Sequence, residues 1–157
     1  MPRRKRKRRQ RARNVYYVVE IETWDWSYSF GLDRTRYRHE PYGEYRHLEI
    51  KGKLVRPQQG KADSVEVTFL PDVRLKQEAR GHDEPRCVGS LHRDRGMLHA
   101  LLSMPADALN PVLQMMITGR MRYVVMNGTP FHYREALVDH YRVDSTYNPE
   151  DLPPEEG

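Results

Sequence analysis

The chain has one cysteine, Cys87, in 157 residues. A single thiol can neither close an internal disulfide nor supply a zinc framework, and it fits a reducing compartment. Long apolar runs are also missing. No stretch approaches the roughly 18 consecutive residues of a membrane span. The segment YYVVEIETWDW, which follows the basic start, carries two glutamates that spoil a signal-like apolar region. These absences read as a cytoplasmic protein without membrane insertion. The sequence has no nucleophile motif, HExxH, Gly-rich phosphate loop or paired-carboxylate framework, so it points to no cofactor and no metal. Internal repeats are absent, as is the βαβ alternation of a doubly wound sheet.

What is present is charge, unevenly placed. The chain has 27 basic and 22 acidic residues. Nine of the basic ones, Arg3, Arg4, Lys5, Arg6, Lys7, Arg8, Arg9, Arg11 and Arg13, crowd the first thirteen positions, which leaves 18 against 22 in residues 14–157. The body is therefore near neutral, and a cationic leader of residues 1–14 precedes it. Such a leader would neutralise phosphates of a nucleic acid or another polyanion without reading sequence. Three other readings compete: an address recognised by another protein, a partner for the chain's own acidic end, or a start site placed upstream of the folded part.

Residues 15–143 read as one β-rich domain. Val15, Tyr17, Val19 and Ile21 alternate with Tyr16, Val18, Glu20 and Glu22, the period of a strand with one face inward. Trp24 to Phe30 either prolongs that strand or forms another, and Gly31 to Glu44 reads as an exposed loop. Leu48, Ile50 and Leu54 are placed inward on the next strand, and Val65, Val67 and Phe69 on the one after it. Residues 76–86 form a second polar loop. Cys87 to His92 and Met97 to Ser103 are joined through Asp94-Arg95-Gly96 as a tight hairpin. One helix follows, with Asn110 as cap, Pro111 at its first position and Gly119 just past its end. Arg122 to Met126 is a strand, Asn127-Gly128 a hairpin signal, and Arg134 to Val143 the last strand. The expected architecture is all-β with one short helix: an antiparallel β-sandwich or partly closed barrel of about eight strands. Residues 144–157, with five acids and three prolines, read as an extended tail.

Three groups of residues carry candidate chemistry. Between Tyr28 and His47, Arg34, Arg36, Arg38 and Arg46 interleave with Tyr28, Phe30, Tyr37, Tyr42 and Tyr45, a composition suited to stacking on bases while holding phosphates; Arg36, Tyr37 and Arg38 lie at its centre. The same tyrosines also suit the covering of a sheet. If Arg95-Gly96 is a two-residue turn, His92 and His99 face each other, and Cys87, His132 and His140 become further candidates for a metal or proton-sensitive cluster. His132, Glu135, Asp139 and His140 are dispersed acid and base groups for a small enzyme or ligand carrier. The methionines around the helix, Met115 and Met116 among them, suit core filling or a dimerisation patch. The sequence reading is a non-catalytic binding or adaptor module with a polyanion as partner. A protein partner or homodimer is the alternative.

Overall fold

The alternation that opens the domain builds a long first strand, β1 (Val15–Leu32), and the aromatic stretch Trp24 to Phe30 continues it. Six more strands follow in the computed structural model, which describes residues 14–32, 41–58, 62, 64–73, 75 and 87–155. They are β2 (Tyr42–Arg56), β3 (Ser64–Asp72), β4 (Gly89–Asp94), β5 (Met97–Pro105), β6 (Tyr123–Gly128) and β7 (Glu135–Asp144). A 3-10 turn, Ala106–Ala108, leads from β5 into the helix α1 (Leu109–Ile117). The all-β class with one short helix holds.

The strands form one sheet that closes on itself in the order β1-β2-β3-β5-β4-β7-β6. Six of its seven contacts are antiparallel, and β3 with β5 is parallel. The parallel pair follows from the count. Strand direction must return to itself around a closed ring, and an odd number of strands cannot alternate all the way round. An all-antiparallel sheet of about eight strands would have had no such contact.

Side chains sort across the ring as the period of two demands. Tyr17, Val19, Leu48, Ile50, Val65, Val67, Phe69, Leu91, Leu98, Ala100, Leu102, Val124, Met126, Ala136 and Val138 are buried in one cluster, with Val15, Ile21 and Leu54 at its margin. Gly52 lies among them because β2 passes close to β1 there: a Cβ would run into the Glu20 carbonyl.

The outer face of β1 is apolar too, and the C-terminal segment explains it. Val18, Val125 and Leu152 form a second buried cluster, flanked by Tyr16, Val55, Tyr123 and Tyr147. Arg56 at the end of β2 is buried, donates from Nη2 to the Pro153 carbonyl, and has its Nε 3.5 Å from Glu155 Oε1. The Gln58 backbone N–H donates to the same carboxylate at 3.1 Å. The acidic end read as an extended tail is held along the wall as far as Glu155.

Two local readings are corrected. Asn110 does not cap α1, because the 3-10 turn runs straight into the helix and makes Ala108 its N-cap; Pro111 still falls in the first turn, where no N–H is needed. Gly119 takes φ +70° just past the end, as expected. Asn127-Gly128 is not a turn. Both residues belong to β6, the chain reverses over 129–134, and Gly128 is required because a Cβ would meet the Leu137 carbonyl.

Candidate functional site

The two ends of the ring differ in chemistry. At one end, Val15 pairs with Gly128, so the leader joins the folded part beside the β6–β7 connection. The β4–β5 turn lies at the same end. Arg95 and Gly96 have φ of 45° and 83°, the positive pair of a two-residue hairpin turn. The Arg93 backbone N–H, near the end of β4, donates to the Arg134 carbonyl at 2.9 Å and ties β4 to the β6–β7 connection. Arg95 and Arg134 are exposed, and so is Tyr133, at φ 58°. Beneath them the Arg93 guanidinium lies 4.3 Å from the centre of the Phe131 ring, which Tyr17 meets edge-on at 5.7 Å. The Tyr17 hydroxyl donates to the Thr129 carbonyl at 2.8 Å. Burial pushes its pKa up to about 12, against the opposing pull of Arg93. An open hollow of about 470 Å³ beside this group is lined by Thr129, Pro130, Phe131, His132, Glu135, Ala136 and Leu137.

At the other end a two-stranded ribbon leaves the ring. β1 pairs with β6 only from Val15 to Glu20, and β2 pairs with β3 only from Leu48 to Gly52. Beyond Trp26 and Leu48, the strands pair with each other alone, ending at Leu32 opposite Tyr42. Gly31 to Glu44, read as a loop, thus gives strand residues at both ends.

The alternation WDWSYSFGL divides this ribbon sharply. One face carries Trp26, Tyr28, Phe30 and Leu32 from β1 and Tyr42, Glu44 and Arg46 from β2; the other carries Asp25, Ser27, Ser29 and Gly31 with Gly43, Tyr45 and His47. The first face continues the inner wall of the ring, yet its aromatic rings are open to solvent: Trp26 is 45% exposed, Tyr28 54%, Phe30 60% and Tyr42 62%. Phe30 and Tyr42 stack with centroids 5.5 Å apart and planes 14° from parallel. Of the aromatics named from the sequence, Tyr28, Phe30 and Tyr42 are therefore brought together, while Tyr45 lies on the opposite face against His47.

The remaining candidates separate as follows. Arg3, Arg4, Lys5, Arg6, Lys7, Arg8, Arg9, Arg11 and Arg13 lie outside the described residues, as do Arg34, Arg36, Tyr37, Arg38 and the polar run 76–86. His92 and His99 face each other across β4 and β5. Each is extended by a carboxylate from the next strand: His92 Nε2 to Glu135 Oε1 at 3.6 Å, and His99 Nδ1 to Glu66 Oε1 at 3.9 Å. This row crosses four strands on the outer wall, and His132 bridges to Glu135 at its end. Asp139 and His140 are exposed farther along β7, and Cys87 is exposed before β4. Among the described residues, no three His, Cys, Asp or Glu side chains are grouped to hold a metal ion. None of the described helices is long and apolar enough to cross a membrane.

Sequence reasoning missed Trp26 and Leu32 as members of the exposed face, although their alternation with Asp25 and Gly31 marks them. Tyr133 and Arg134, at the leader's end, carry no sequence signal beyond their place between two strands. No family model, curated protein or solved structure matches the chain.

Proposed function

We propose that the protein is a non-catalytic nucleic-acid-binding module of the cytosol, in which the leader's nine cations capture phosphates. The observation that carries this reading is the point of attachment. Val15 enters the ring at the end where Arg95 and Arg134 stand exposed on two connections. A phosphate chain drawn to the leader meets these two cations there, beside the exposed Asp94 and Glu135. Capture of this kind is independent of sequence and falls with salt. The exposed Cys87 is compatible with a reducing compartment.

The test compares the full chain with a chain beginning at Val15, using single-stranded and double-stranded oligonucleotides at low salt. The expected result is binding by the full chain and a marked fall in affinity on shortening. Absence of binding by the full chain, or equal affinity after shortening, overturns the proposal.

A second reading has its own observation. On α1, Met116 is buried while Met115 is 45% and Ile117 73% exposed on either side of it, apolar side chains that a protein partner or second copy would cover. Sedimentation at rising concentration tests it: a monomer throughout excludes the homodimer.

A further inference from the structure

We propose that the aromatic face of the ribbon binds single-stranded nucleic acid by inserting its rings between spread bases. This rests on the nucleic-acid reading and names its substrate class. Every second residue of a strand advances about 6.8 Å, roughly twice the 3.4 Å rise per nucleotide of one duplex strand. Trp26, Tyr28 and Phe30 stand at that interval along one face of β1. A strand whose bases are drawn apart to the same spacing offers one gap per ring, and only an unpaired strand can be spread so. Phe30 and Tyr42, already stacked, broaden the end of the row into a platform. The opposite face, with Ser27, Ser29 and Gly31, has nothing comparable on β1.

Charge separates this site from the leader. Among the described ribbon side chains, Arg46 is the cation on the aromatic face, and its Nε lies 3.2 Å from Glu44. Nearby, Glu22 Oε1 lies 3.3 Å from Lys53 Nζ, and Asp25 is on the opposite face. The rings of the ribbon therefore contribute stacking, which salt scarcely alters, while the leader contributes phosphate attraction, which salt removes. Trp26 lies eleven residues along β1 from Val15, about 36 Å away. A single strand must be at least five or six nucleotides long, at about 6.8 Å each, to reach from the start of β1 to the ribbon.

The experiment uses the full chain with a twenty-nucleotide oligothymidine and a duplex of equal length, each across a salt series. Trp26→Ala, Tyr28→Ala and Phe30→Ala should each weaken oligothymidine binding about five- to 150-fold while leaving the salt slope and duplex binding unchanged. Tyr28→Phe, which keeps the ring, should bind like the unaltered chain. Unchanged affinity in all three alanine variants, or an equal loss for the duplex, overturns the inference and leaves the leader reading standing. A concentration-dependent dimer that the alanine variants abolish, with oligothymidine binding intact, assigns the face to a second copy and also overturns it. If the full chain binds neither polymer at low salt, both readings fall.

Discussion

Trp26 sits directly opposite Leu48 in the β1–β2 register, but Leu48 is fully buried and Trp26 is 45% exposed. The pair marks where the ring ends and the ribbon begins. Two apolar side chains on one face thus answer to different demands. Leu48→Ala opens a cavity in the core and should destabilise the fold by about 2–5 kcal/mol in urea unfolding. Trp26→Ala removes a ring still half in water and should cost less, about 1–2 kcal/mol after allowing for burial already present in the unfolded chain. Equal costs would mean that the ribbon face serves folding rather than binding.

Tyr17 ties alkaline stability to the leader's end of the ring. Its hydroxyl is neutral when protonated, and burial lifts its pKa from the ordinary 10 to about 12. The native state therefore keeps the proton where the unfolded chain has lost it. Stability from this group is complete below pH 10 and falls as pH rises towards 12, by about 2–3 kcal/mol in all. Burial raises the pKa of Tyr141 as well, so its contribution has the same sign. Tyr17→Phe should start from lower stability, having lost the bond to Thr129, and then decline less between pH 10 and 12. Parallel declines would show that Tyr17 does not titrate as described.

The C-terminal segment should behave as part of the fold. Leu152 covers Val18 and Val125, and Arg56 anchors Pro153 and Glu155 beside it. Leu152→Ala is expected to cost about 2 kcal/mol, the low end for a buried leucine, and to speed protease cleavage after β7. Unchanged stability and cleavage would mean that the contact contributes nothing in solution.

Two glycines should respond differently to alanine. At Gly128 a Cβ would collide with the Leu137 backbone, so the strands must part; a loss of several kcal/mol is expected, of the size reserved for forced backbone shifts. At Gly96 nothing lies within 4 Å, and only φ +83° resists, a cost of about 1 kcal/mol. Thermal unfolding of both variants checks the order, and a larger loss at Gly96 would contradict the close approach of β6 and β7.

Local chemistry was legible in the sequence, and contacts between distant segments were not. The β4–β5 register followed from Arg95-Gly96 because a two-residue turn leaves one way to pair, which sets His92 opposite His99. The inward residues of β1, β2 and β3 followed from their alternation. Asn127-Gly128 misled because the same dipeptide that suits a turn also suits a close approach of two strands. The parallel β3–β5 contact needs the whole ring to be counted before it becomes visible. Tyr147 and Leu152 stand among acids and prolines, where only the uncovered Val18 shows what they are for. As for the aromatic face, its residues were readable, but its exposure depends on β6 and β3 stopping short, a property of those strands and not of β1.

Phosphate capture by the leader shows in the slope of affinity against salt. Single-strand binding by the full chain should fall steeply, by about 0.7 logarithmic units per tenfold step in salt for each phosphate engaged. With nine cations in the leader, the slope should approach −6 and collapse when the chain begins at Val15. A slope near zero in the full chain, or the same slope in both, would contradict the account.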